Sequence, residues 1–226
     1  MLVRQRLLLA SPLETLARWL ELVQTAPFWR SALFTLGHIL LGFALALFLG
    51  ALGAGLSARF AWAEAFFSPP LAVIRAIPVA SFVIVALIWV PSRRLSILIS
   101  LLIALPILYD AVLDGIRAVD PRLLEMTRTF RVARMNRLRA VFLPSILSRL
   151  SSAARAAMGL AWKSGVAAEV IGIPSGSIGE KLYKAKIYLA TPDLFAWTIT
   201  IVLLSWACER ALSGLLNLLR RRLERM

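Results

Sequence analysis

Residues that carry chemistry are scarce in this chain. Its 226 residues include one cysteine and one histidine. Cys208 has no partner for an intramolecular disulfide, and it falls in an apolar run where it serves as a small hydrophobe. His38 has no second metal ligand nearby and reads as a packed or interhelical polar residue. Neither a Cys/His metal site nor a Cys/His nucleophile is supported. Acidic residues number 12 against 26 Lys and Arg. Asp110, Asp114, Glu125 and Glu169 are scattered, and no pair is placed for general acid/base work. The stretch nearest to a phosphate loop, GIPSGSIGEK at 172–181, has glycines and Lys181 at the wrong spacing. The expectation is a protein with no catalytic residue, no metal and no cofactor, and not an enzyme by itself.

Apolar residues, by contrast, are abundant. The chain is 60% hydrophobic with a mean hydropathy of +0.79, well above a soluble domain of this length. Ser31 to Ala58 carries no charged side chain, which is long enough as a helix to cross a ~30 Å hydrocarbon core. The fold class is therefore all-α integral membrane, a single transmembrane domain over 1–226 with no room for a separate soluble one.

A net charge of +14 would suggest nucleic acid in a soluble protein. Here the arginines gather in two clusters beside apolar runs, Arg117 to Arg139 and the tail Arg220, Arg221, Arg222 and Arg225. That is the pattern of cytoplasmic segments next to a lipid bilayer, and no nucleic acid is expected. At the N-terminus, Arg4 and Arg6 precede only Leu7 to Ala10 as an apolar core, too short for a signal peptide.

About five membrane helices are expected. The first, about Ser31 to Leu56, places Gly42, Ala46, Gly50 and Ala54 at every fourth position, a ridge that admits a close neighbour. The second, about Phe66 to Val90, holds Pro69, Pro70 and Pro78 and is not expected to be straight. Arg75 lies inside it, either as a functional intramembrane charge or at the headgroup level. The third, about Leu95 to Ile116, ends in Asp110, Asp114 and Arg117 on one face, where Asp114 and Arg117 read as a local ion pair. The fourth, roughly Ile146 to Ile171, is the most polar and cannot face lipid all round. Trp162, Lys163, Ser164 and Glu169 on it, with Arg75, are the candidates for an aqueous pathway; dimer packing or interface anchoring would use the same residues. The fifth runs from about Leu194 through Leu219.

With both arginine clusters cytoplasmic, the loop at 172–193 is extracytoplasmic. Counting back puts the N-terminus outside with Arg4, Arg6, Arg18 and Arg30. Either a further helix precedes this chain, or Pro12 to Gln24 forms an external amphipathic helix within the segment 1–30.

The basic interruption at 117–145 is unlike the rest. Asp120 is an N-cap candidate before Pro121. Leu123, Met126, Phe130 and Ala133 fall near one face. The arginines step by threes and drift around the helix, which suggests two short helices with a bend near Met135-Asn136, ending where Pro144 opens the next span. This stretch reads as a docking element or as a surface bathed by water and lipid headgroups.

The sequence EMTRTFRVARMNRLRAVFLPSI resembles the cytoplasmic EAA loop of ABC importer permeases. Glu125 matches its glutamate and Leu143-Pro144 its closing Leu-Pro. Met126 and Thr127 replace the two alanines, and Arg131 stands where a glycine is usual. SPLETLARWLELVQ, LLGFALALFLGALGAGL, IRAIPVASFVIVALIWV, AVDPRLLE and AWKSGVAAEVIGIPSG resemble the nitrate/sulfonate/taurine class of these permeases, as does the DLFAW start of the last helix. The resemblance implies a six-helix family whose first helix has no counterpart here. It also implies a second copy of the chain, two cytoplasmic ABC ATPase subunits and an extracytoplasmic substrate-binding protein. The coupling helix would lie between helices three and four, with Leu123, Leu124, Glu125, Met126, Thr127, Phe130, Arg131, Ala133, Arg134, Leu143 and Pro144 as its ATPase-facing residues. A non-transporting membrane scaffold, its basic loop on anionic lipid or a regulatory partner, is the alternative.

Overall fold

The computed structural model of the chain describes residues 10–224. Arg4, Arg6 and Arg225 lie outside them. Among the described residues the secondary structure is helical, with no strand. Helix α1 is Pro12–Val23, α2 Ala26–Arg59, α3 Ala61–Ala76, α4 Val79–Ala86 and α5 Ser92–Arg117. Helix α6 is Pro121–Thr129, α7 the single turn Arg134–Arg137, α8 Leu143–Gly172, α9 Ile178–Ile187 and α10 Thr191–Glu224.

All five expected spans are helical. Helices α2, α5 and α10 are long and apolar enough to cross a membrane, and α3 with α4 forms a fourth candidate if the pair is one broken span. The break falls at Ile77-Pro78, because proline lacks an N–H and disfavours helical geometry in the residue before it. Pro69 and Pro70 sit inside α3 without ending it. Helix α8 has 30 residues, about 45 Å at 1.5 Å per residue. Length is therefore sufficient, and its charges keep it out of the apolar set. Pro144 falls in its first turn, where a missing donor costs least. It follows a π turn over Leu138–Phe142, since Pro144 cannot donate to the carbonyl four residues back.

The chain divides into two compact units, one of 1–42, 77–100 and 161–207, the other of 43–76, 101–160 and 208–226. In the first unit, Gly42 lies where a methyl group would stand 2.4 Å from the Ile97 carbonyl oxygen, so α2 and α5 touch backbone to backbone. In the second, Gly50 meets the Tyr109 backbone in the same way at 3.2 Å. Ala46 and Ala54 are fully buried. Two positions of the four-residue ridge of α2, Gly42 and Gly50, thus face α5 of the same chain. Elsewhere in the second unit, Tyr109 donates to Ser57 Oγ at 2.7 Å, and Gly115 seats the backbone of Ile146 where a methyl would stand at 2.6 Å.

Helix α1 starts at Ser11, whose N–H donates to Glu14 at 3.2 Å, with Pro12 opening the first turn. It is fastened within the first unit by Arg18 to Asp193 and by Trp19 Nε1 donating to Thr200 Oγ1 at 3.1 Å. Phe28 stacks on Trp197 with ring centres 5.0 Å apart, and Ile178 joins them to form a small core under α1.

Candidate coupling segment and buried polar cluster

Asp120 caps α6 as its sequence suggests, accepting from the Arg122 N–H at 2.8 Å ahead of Pro121. Two faces separate along this helix. Thr127 is buried and Leu124 half-buried, with Thr127 Oγ1 donating to the Leu124 carbonyl at 2.8 Å. Leu123, Met126 and Phe130 are 46%, 53% and 74% exposed, an apolar stripe left open among the described residues. Glu125, Arg131, Ala133, Arg134 and Pro144 are exposed and Leu143 is half-buried.

The bend falls at Phe130 to Ala133, four or so residues before the expected Met135-Asn136. Arg131 causes it, with φ of 50°. Its N–H donates to the Arg128 carbonyl at 3.0 Å, and that of Val132 to the Thr127 carbonyl at 2.9 Å. This is a Schellman closure, with Arg131 in the left-handed position that glycine takes most readily. Arg131 therefore adopts the turn that a glycine at this place would allow. Ala133 is not on the α6 stripe; it lies beyond the turn and caps α7.

The pathway candidates are dispersed. Arg75 is half-exposed and pairs with Asp110 at 2.5 Å in the second unit, so its charge is matched by a carboxylate. Arg117 pairs with Glu64 at 2.5 Å, not with Asp114 as expected, because α3 brings a carboxylate across to it. Lys163 is exposed and Ser164 half-buried. Trp162 and Glu169 are enclosed, at 1% and 0% exposure, and do not reach the surface of a single copy.

Glu169 is the centre of a polar cluster in the first unit. Its Oε2 accepts from Thr35 Oγ1 at 2.7 Å and from the Gly179 N–H at 3.4 Å. Thr35 Oγ1 in turn accepts from the Ile178 N–H at 3.0 Å. The first two backbone donors of α9 are thereby satisfied by side chains of α8 and α2, which such termini need when buried. Gly179 permits this approach: a methyl there would stand 2.4 Å from Glu169 Cβ. Thr35 and Gly179 were not singled out from the sequence. Nothing in the spacing 35, 169, 179 marks a contact; the sequence marked 172–193 as a loop, and α9 forms inside it.

Similar proteins agree on the kind of molecule. The chain is 32% identical over 162 residues, 71% of its length, to a Bacillus subtilis protein named as an aliphatic sulfonates transport permease, SsuC. That match spans 56% of the relative, so the chain covers just over half of that protein. A Haemophilus influenzae protein named as an ABC transporter permease is 27% identical over 190 residues, 84% of this chain and 77% of the relative. The solved structure of an amino acid ABC transporter with histidines has a TM-score of 0.63 at 22% identity, covering 90% of this chain and 98% of that one. It shares the fold. The profile of one family matches residues 42–225, and this multi-pass membrane chain belongs to it: the binding-protein-dependent transport system inner membrane components.

Proposed function

We propose that this chain is the membrane-spanning subunit of an ATP-driven importer, working with a second copy of itself, two cytoplasmic ABC ATPase subunits and an extracytoplasmic substrate-binding protein. The observation that carries this reading is the exposed stripe Leu123, Met126 and Phe130 on a short helix, capped at one end by Asp120 and closed at the other by the Arg131 turn. An apolar side chain contributes roughly 1.5–3 kcal/mol when fully buried, so a partner that covers three of them gains a substantial anchor. A helix fixed at both ends transmits displacement instead of absorbing it. The 117–145 segment is the cytoplasmic coupling loop, with Leu124 and Thr127 holding the helix to its own chain and Glu125, Arg131, Ala133, Arg134, Leu143 and Pro144 around the docking face. On α8, the exposed Lys163 and the half-buried Ser164 line the pathway, while the enclosed Trp162 and Glu169 support them. The solute is small and anionic or organic, in the range of nitrate, sulfonates and taurine; the name of the Bacillus relative and the single exposed lysine on α8 both lean that way.

Co-expression with neighbouring ATPase genes, purification in mild detergent and an ATPase assay in lipid test this reading. An ATPase subunit should co-purify in equal amount, and Glu125→Lys should release it while the chain still inserts into the membrane. The exposed Arg128, Arg131 and Arg134 favour a scaffold bound to anionic lipid as the second reading. A chain that binds no ATPase but still holds acidic lipid through this loop would establish that one instead.

A further inference from the structure

A second surface, far along the sequence from the coupling helix, has the chemistry of a ligand site. Between the α1–α2 junction, α9 and the start of α10 lies a cleft of about 280 Å³ within the first unit. Its floor is apolar, made by Leu22 and the stacked pair Phe28 and Trp197. Its rim carries Lys181, Lys184 and Tyr188. Apolar floor and cationic rim together suit an amphiphilic anion, with methylenes below and charge above.

Charge pairing around the cleft decides which rim cation is open to a ligand. Asp193 lies on the lining and is held by Arg18, which Glu21 also engages at 2.9 Å. Glu180 is matched by Lys184 at 2.6 Å, which also pins the ammonium at the rim with two further N–H groups to donate. Among the described residues Lys181 forms no ion pair, so its ammonium is the rim charge open to a ligand.

The surroundings say which amphiphile. Leu13, Leu16 and Leu20 form an exposed stripe on α1. Trp29, also exposed, donates from Nε1 to the Val23 carbonyl at 2.8 Å and so sits at the α1–α2 junction. Leu33 carries the exposed apolar surface on into α2, a helix long and apolar enough to cross the membrane. On the other side, Ile187, Tyr188 and Leu189 are exposed beside the rim. An amphipathic helix edged with tryptophan and tyrosine is characteristic of a segment lying at headgroup depth.

We infer that this cleft is a binding site for one acidic phospholipid, its phosphate held by Lys181 and Lys184 and the first part of an acyl chain laid over Phe28 and Trp197. A lysine near an acidic headgroup gives roughly a fivefold preference over a zwitterionic lipid. The site depends on the chain being in a membrane and is independent of whether it transports.

The full chain, with any ATPase subunits that accompany it, is purified in mild detergent with phosphatidylglycerol or phosphatidylcholine added, and retained lipid is counted by native mass spectrometry. The expected result is one phosphatidylglycerol retained per chain in preference to phosphatidylcholine. Lys181→Ala lowers that preference about fivefold, Lys181→Ala with Lys184→Gln abolishes it, and Lys186→Ala, on the same helix but off the lining, leaves it unchanged. Equal retention by the double variant and the unmodified chain would overturn the site. So would equal retention of the two lipids, or displacement of the lipid by millimolar inorganic phosphate or a short alkyl sulfonate, which would make the cleft a soluble-anion site.

Discussion

Arg131 shows how a single backbone angle can replace a residue preference. An L-residue in the left-handed region costs roughly 1 kcal/mol relative to glycine. Arg131→Gly should therefore stabilise the α6 terminus by about that amount, read as slower amide exchange at Val132. Glu169 is the opposite case, since its partners exist only in the folded chain. Thr35→Val strips the Ile178 N–H of its acceptor and Glu169 of one of its donors; an unmet buried group costs about 1–3 kcal/mol. Gly179→Ala should cost a similar amount by steric pressure alone. Thermal unfolding in detergent measures both, and a Gly179→Ala protein as stable as the unmodified one would mean that α9 does not press on α8. The sequence marked Glu169 as an intramembrane acid but not its role, because a carboxylate facing water and one capping a buried helix look alike until the partners are known.

At the scale of elements, α9 is held at its start by Thr35 and Glu169 and along its outer face by an ion pair. The Lys184 ammonium and the Gly176 N–H hold the Glu180 carboxyl below its usual range, and Glu180 in turn raises Lys184. A carboxyl lowered in the folded state contributes stability that is present above its unfolded pKa of about 4.3 and lost as pH falls through the folded value. A raised lysine contributes stability present below about 10.4 and lost as pH rises through its own folded value. Amide protection of α9 should therefore be greatest between those limits and fall on acidification below about pH 4.3. Glu180→Gln should remove most of that acid dependence, and an unchanged profile would show that the pair adds nothing to α9. Element boundaries were legible where a cap or a break is local in sequence: Asp120-Pro121, Ile77-Pro78 and Pro144 are such signals. The bend after α6 was misplaced because no glycine marks it.

For the whole molecule, the two arginine clusters predict topology. In a Cys208→Ala background, Arg134→Cys should react with an impermeant maleimide only from the cytoplasmic side, and Lys186→Cys only from the opposite side. Labelling of both from one side would reverse the assignment of the 172–193 loop. Hydropathy, charge clusters and short-range caps determined by themselves that this is a helical membrane protein, where its long helices run and where its basic interruption lies. These properties depend on residues within a few turns of one another, and the bilayer acts on them one helix at a time. Only the tertiary structure decided that Arg117 takes Glu64 and not Asp114, that Gly42 and Gly50 of α2 meet α5, and that Glu169 meets Thr35 and the start of α9. Those pairings join residues from ten to more than a hundred positions apart, and packing between helices chooses among many partners that the sequence leaves equivalent.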